Sequence, residues 1–484
     1  MDGARRHRFA SPVIALVCGL TLAACGSVVT GTPVSIYEDP FTVAGLPVTD
    51  GPSGPRPGVS HAQLDVDGFS GSDVDVLATD ALDDIQKFWR QQYPMLFRGE
   101  FTPVRRLVSW DASAAPGEGP VFCGDPTDGF VNAGYCSLDD SIGWDRGILM
   151  PAMVDAFGPM SVVMVLAHEY GHAVQTQSGA LGDDDPTIVA EQQADCYAGA
   201  FMRHVAEGDS THFSLNTSDG LNDVLAATVA VRDEDPGDPD SVHGSAFERV
   251  TAAQIGFTDG VPACAAIDLQ DIETRRSTLP REFDNPLDTT GELPVTRETL
   301  EAFATTFGDI MPTSPAPTVD YSGADTGCPD ATATEPVSYC PATNTIGVSV
   351  DALAERGRPA VDDDDLVVPV DVTGDYGAYV LFLSRYVLAV QNQAGQALDD
   401  ARAGLRSACL AGVVTAALGP SGGNPDAAVT LSPGDLDEAV SGLLTDGLAA
   451  SDVDGRTVPS GFARVDAFRW GVLGGRDSCD ARFR

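Results

Sequence analysis

Basic charge is what this 484-residue chain has least of. Lys87 is its only lysine, and 28 basic residues stand against 71 acidic ones, a formal net charge of −43. Without residues 1–24, which hold Asp2, Arg5, Arg6 and Arg8, the charge is −45. A surface of that sign repels phosphates and excludes nucleic acid and anionic headgroups as partners. Histidine is scarce too: there are seven, and none follows His243, so the second half cannot build a histidine-based metal site. Beyond the N-terminal region no segment reads as long and apolar enough to cross a bilayer. What remains exceeds the usual single core, so two domains are expected.

The N-terminus reads as an export signal. Arg5, Arg6 and Arg8 precede an apolar run from Phe9 to Leu22 that is too short to span as a mature helix. It ends in Leu22-Ala23-Ala24-Cys25, which resembles the bacterial lipobox, and Cys25 is the expected lipidated residue. This predicts a signal over 1–24 and a protein anchored to the outer face of the bacterial membrane, the export route staying open. Residues 25–62 are Gly/Pro-rich without helical or strand period and read as a flexible tether.

Chemistry is concentrated at His168-Glu169-Tyr170-Gly171-His172. Histidines four apart share a helix face and can reach one metal ion, and Glu169 lies beside them. The preceding stretch from Met160 to Ala167 is apolar, and a buried helix carries two His and a Glu only where something compensates their desolvation. Nineteen residues further on stands Glu191, in Glu191-Gln-Gln-Ala-Asp195-Cys196. Zinc takes two His and one carboxylate and keeps a fourth position open. Asp185-Pro186 predicts a second helix with Asp185 as N-cap, on which Glu191 and Asp195 share a face. Glu191 is then the third ligand, and Asp195 orients a ligand histidine.

Apart from Cys18 and Cys25, eight cysteines remain, an even number that predicts disulfides in an exported chain. Their pairing follows from an internal repeat at an offset near 216. Residues 165–179 align with 381–395 and keep Tyr170/Tyr386, Gln175/Gln391 and Gly179/Gly395, while His168, Glu169 and His172 become Ser384, Arg385 and Leu388. Cys196-Tyr-Ala-Gly199 matches Cys409-Leu-Ala-Gly412, with Gly404 for Glu191 and Ala408 for Asp195. Ser245 to Val250 matches Ser460 to Val465, and each segment runs on to a cysteine, Cys264 or Cys479. The matched spacing predicts bridges Cys123–Cys136, Cys196–Cys264, Cys328–Cys340 and Cys409–Cys479. Tyr170, Gln175 and Arg249, present in both copies, read as architectural. His243, lost with the ligands, reads either as a surface-loop histidine or as a donor to a developing oxyanion.

These motifs resemble the bacterial neutral zinc metallopeptidase family of the YpfJ type: Cys123-Gly124…Tyr135-Cys136, Ala167 to Gln175, Glu191 to Gly199, and His243 to Arg249. The resemblance covers about residues 80–265, and the tandem arrangement is similar to lipoprotein peptidases of actinobacteria. Departures are Ala173, Gln192 and Ser137, where the family has His, Leu and Pro. The resemblance implies a gluzincin-like domain and a catalytic His243.

The expected fold is mainly α, with α+β open: a zinc peptidase domain over 63–265, a linker over 266–298 and a degenerate peptidase-like repeat over 299–484. Helices are predicted near 75–92, 159–178, 186–207 and from about 245, with a small sheet around Val104 to Trp110. Asp362 to Asp365 reads as a solvated loop. The expected reaction is peptide hydrolysis with one Zn2+ held by His168, His172 and Glu191, and Glu169 taking a proton from the activated water. A zinc-stabilised scaffold lipoprotein, with a protein partner on the second repeat, is the alternative from another class. Zinc hydrolysis of a cell-wall amide is the third, since the motif activates water without naming the bond.

Overall fold

The structure is a computed structural model and describes residues 39–182, 185–233, 242–276, 279–280, 291–360, 367–369, 372–419 and 429–483. The signal, Cys25 and Asp362 to Asp365 lie outside the described residues. The chain is mainly α with some β: fourteen helices and twelve short strands among the described residues.

The first strands are β1 (Thr42–Val43), β2 (Leu46–Pro47) and β3 (Gly54–Pro55), and they correct the expected tether over residues 39–62. β1 and β2 form a hairpin, while β3 pairs with the later β9 (Phe213–Ser214). Thr49 N and Ala62 N donate to Thr217 Oγ1 and Asp80 Oδ1 at 2.9 and 2.7 Å. Lack of period does not mean lack of structure here, because turns and long-range hydrogen bonds satisfy the backbone.

Helix α1 (Asp73–Leu96) starts where Ser72 accepts from Asp75 N, with Asp73 and Asp75 facing the positive end of the helix dipole. A three-stranded sheet follows from β4 (Arg106–Trp110), β7 (Ala133–Cys136) and β8 (Ser141–Asp145), after a small hairpin of β5 (Val121–Phe122) and β6 (Asp125–Pro126). Its order is β4-β8-β7, with β4 parallel and β7 antiparallel to β8. Then come α2 (Leu149–Phe157), α3 (Pro159–Ser178), α4 (Thr187–Ala206), α5 (Asp219–Ala230), α6 (Ala246–Asp259), α7 (Val261–Cys264) and α8 (Leu269–Arg276). α3 has the predicted bounds. Pro159 presets its first turn, and Gly179 ends it in the left-handed region at φ 61°. The N-cap of α4 is Pro186 in place of the predicted Asp185, whose carboxylate turns back to accept from Gly182 N at 2.8 Å.

The second half runs α9 (Arg297–Ile310), β10 (Thr318–Asp320), β11 (Val337–Cys340), β12 (Thr345–Val348), α10 (Val350–Arg356), α11 (Asp375–Gln393), α12 (Ala401–Leu418), α13 (Asp435–Thr445) and α14 (Gly461–Arg482). Its sheet, β10-β12-β11, has one parallel and one antiparallel pairing in the same order as the first. α4 crosses α6 closely, and α12 crosses α14. A Cβ on Gly199 or Gly256 would run into the backbone carbonyl of Ala253 or Cys196, and one on Gly412 or Gly471 into that of Phe468 or Cys409.

The four expected bridges form: Cys123–Cys136, Cys196–Cys264, Cys328–Cys340 and Cys409–Cys479. They point to an oxidising, extracytoplasmic environment. One expectation about apolar runs is corrected. The 18-residue α12 is long and apolar enough to cross a membrane, but 72% of it is buried inside the protein, packed against α14 and α11, as a core helix.

The described residues form one compact unit, in place of two units separated at 266–298. The halves meet through α5 and α6 on one side and α13 and α14 on the other. Phe257 packs on Phe462 with ring centroids 4.9 Å apart, and Gln254 Nε2 donates to Phe462 O at 3.0 Å.

Candidate metal centre

α3 and α4 bring three of the predicted residues to one point. Gly171 lets the helices close, since a Cβ there would press on Ala194. His168 Nε2 lies 3.1 Å from His172 Nε2 and 3.2 Å from Glu191 Oε2, and His172 Nε2 lies 3.5 Å from Glu191 Oε1. Two atoms bound to one zinc at about 2.1 Å in tetrahedral geometry lie roughly 3.4 Å apart, which these edges match.

The far sides of the rings decide what the near sides can be. Asp195 Oδ1 takes His168 Nδ1 at 2.8 Å. Gln175 gives its Nε2 to Ala190 O at 2.8 Å, which turns its Oε1 toward His172 Nδ1 at 3.0 Å. Each Nδ1 is therefore a donor, and in the neutral rings each Nε2 presents a lone pair that faces a carboxylate. Glu191 Oε2 is buried without a hydrogen-bond partner. Three acceptors around one point with no donor among them fit a cation.

Electrostatics agree. Burial opposes charge on His168, but the Asp195 and Glu191 carboxylates outweigh it and push the imidazole up to about 10. Burial would raise Glu191, and the two imidazoles more than reverse this, holding it well below the usual carboxylate range. Asp195 is likewise held down against its burial by Arg249 and His168. In a metal-free cluster a proton takes the place of the cation, and metal binding displaces it.

Arg249, predicted as architectural, is part of this shell. Its Nε and Nη2 grip Asp195 Oδ2 and Oδ1 at 2.9 and 2.8 Å, and its Nη1 donates to Val231 O. Gln175 is also more than frame, since it fixes the tautomer of His172. Glu169 lies on the half-buried side of α3, and its Oε2 accepts from Tyr135 N on the edge strand β7 at 2.9 Å.

His243 lies outside the close cluster of His168, His172 and Glu191. Asp233 holds it, with Nδ1 3.0 Å from Oδ1 and the His243 and Gly244 amides both 2.7 Å from Oδ2. Chiefly through that Asp233 contact its pKa is raised, with the Glu191 charge also contributing. The ring is 44% exposed, which leaves its outer edge accessible to a ligand.

Asp233 and the Tyr135 amide had no visible signal in sequence. Asp233 heads an acidic run that looks like the rest of this acidic chain, and a backbone N–H leaves no mark at all. Three other groupings of possible ligand atoms occur among the described residues. Cys328 and Cys340 are joined in a disulfide, Asp83 and Asp84 are ion-paired with Lys87 and His212, and Asp375, Asp435 and Glu438 form a buried carboxylate cluster.

No family model matches the chain, and no solved structure matches it. It is similar to uncharacterised proteins of Mycobacterium bovis and Mycobacterium tuberculosis, at 29% identity over 202 residues, which is 37% of this chain and 65% of theirs. The chain thus spans 65% of the length of the curated relatives it matches.

Proposed function

We propose that this protein is a zinc metallopeptidase of the YpfJ type with a gluzincin-like catalytic first half. One observation carries the reading: the Nε2 lone pairs of His168 and His172 face the Glu191 carboxylate, while both Nδ1 atoms are committed to Asp195 and Gln175. A zinc ion held by His168, His172 and Glu191 would supply the Lewis acidity that brings a water pKa to about 7. Glu169 takes a proton from the attacking water and returns it to the leaving amine. The Tyr135 amide fixes one of its oxygens and so orients the other. His243 carries its proton on Nε2 toward the oxyanion, and Asp233 favours the charged ring that can donate from both nitrogens.

The second half is a degenerate copy. The matching sheet order, the paired disulfides and the paired glycines at the helix crossings support this. Lipidation of Cys25 would hold the protein on the outer face of the membrane, in keeping with its four disulfides.

The test is cleavage of a peptide library and of cell-wall fragments by the purified protein, with chelator and with zinc restored. Glu169→Gln is expected to keep zinc and lose turnover, and His168→Ala to lose both. Undiminished turnover in Glu169→Gln sinks the mechanism. Cleavage of cell-wall amides alone moves the substrate class, and zinc binding without any turnover makes the protein a scaffold.

A further inference from the structure

Where the halves meet, each offers one side chain to the first turn of the other's last long helix. Asn222 on α5 accepts from Gly461 N at the start of α14, at 2.7 Å. Asp437 on α13 accepts from Phe247 N at the start of α6, at 3.0 Å. In the register that lays Ser245 over Ser460, Asn222 lies over Asp437 and Phe247 over Phe462. The exchange is reciprocal, as across a twofold axis.

It is not equal. Asn222 is neutral, whereas Asp437 is a buried carboxylate whose Oδ2 lies 3.6 Å from Arg232 Nε. Arg232 has no counterpart, since Gly447 stands at its register position. The neutral contact shows that docking needs no charge here, and a buried ion pair is a poor source of stability. The charge therefore has another use, and its neighbours indicate which. Arg232 is bonded in sequence to Asp233, the residue that holds His243 and Gly244 by three hydrogen bonds. Phe247 lies three residues beyond Gly244. One carboxylate from the second half thus grips the chain on both sides of the Asp233–His243 pair.

We infer that the second half is a built-in positioning subunit, with Asp437 the positioning residue that sets His243 through Arg232 and Asp233. This rests on the peptidase reading and on the role of His243 in it. It gives the degenerate copy a task that requires no metal chemistry of its own.

Asp437→Asn tests it, because asparagine already makes the equivalent contact at residue 222. Zinc content and thermal midpoint should stay near wild type, while kcat falls about tenfold to a hundredfold with KM little changed. Combined with His243→Ala, it should add no loss beyond that of His243→Ala alone. Amide hydrogen exchange at His243 and Gly244 should quicken while exchange in α3 and α4 does not. Arg232→Gln should reproduce all of this from the other side. Unchanged exchange at His243 and Gly244 in both variants, or additive losses in the double variant, would overturn the inference. The exchange measurement needs no turnover, so a wild type inactive on peptides sinks the function and leaves the clamp to be judged separately.

Discussion

Helices α3 and α11 occupy equivalent places in their halves and have been filled with opposite chemistry. In both, a tyrosine hydroxyl reaches backbone, Tyr170 to Val104 N and Tyr386 to Met311 O. In both, a glutamine amide donates to the neighbouring helix, Gln175 to Ala190 O and Gln391 to Ala403 O. The difference lies between these anchors. α3 carries two imidazoles and the Glu169 carboxylate, with His168 held by Asp195 and Arg249 behind it, whereas α11 carries the buried Leu388 and the single buried guanidinium of Arg385. Glu169 accepts from the edge strand of its sheet, and Arg385 donates to the corresponding strand at Val337 O. Burial pushes Arg385 down to about 10, the cost of holding a cation with few partners. Arg464 shows the same shift of role. With Ala408 where Asp195 stands, its guanidinium turns to the carbonyls of Leu443, Val458 and Leu444. The two helices share packing contacts because these serve the helix neighbours, whereas their polar residues differ with the partners each half provides.

The largest break in the comparison should come from Asp195→Ala. It leaves Arg249 buried and unpaired, which costs about 3–5 kcal/mol, and frees His168 from its orientation. Chemical denaturation and metal analysis should show lower stability and lost zinc together. Retained zinc affinity would remove Asp195 from the site. Next, Gly199→Ala and Gly412→Ala should each cost about 1–3 kcal/mol, since both force a Cβ against a backbone carbonyl at the helix crossing. Near-equal losses in urea titrations are expected, and a loss confined to one variant would show that the crossings are not equivalent.

Gln175→Ala should weaken zinc about tenfold to a hundredfold, read by chelator competition, because His172 loses its orienting acceptor. Gln391→Ala should change stability alone. The smallest effect separates the halves by pH. Glu191 and Asp195 are held low, so the stability they provide is present above their unfolded values near 4 and is lost as pH falls through the folded ones. Asp375, pushed up by burial to about 7, and Asp435 and Glu438, also raised by burial, behave oppositely. They bind more protons folded than unfolded, so stability falls as pH rises from about 4 through about 7. Asp435→Asn with Glu438→Gln should therefore raise the thermal midpoint by about 2–4 °C at pH 8 and by less at pH 5. An equal gain at both pH values would show that the cluster does not titrate in this range.

Much of the site was legible because its chemistry has a fixed spacing. Four-residue steps placed His168 with His172 and Glu191 with Asp195, and the matched segments of the second half lack all four. The bounds of α3 were legible from Pro159 and Gly179, which act within one turn. Residues 39–62 misled because turn-rich chain carries no period whether it is loose or pinned. The second half's hold on the first was invisible for a different reason. Phe247 accepts help from Asp437, 190 residues away, through a backbone amide that every residue possesses.

By itself the sequence determined the candidate ligand residues, the disulfide partners and which half carries the histidines, because these follow from residue type and local or matched spacing. Only the tertiary structure decided which nitrogen of each histidine faces the centre, what holds Glu169 and His243, and that both halves form one body. Those depend on backbone groups and distant carboxylates whose identity is ordinary and whose position alone gives them a role.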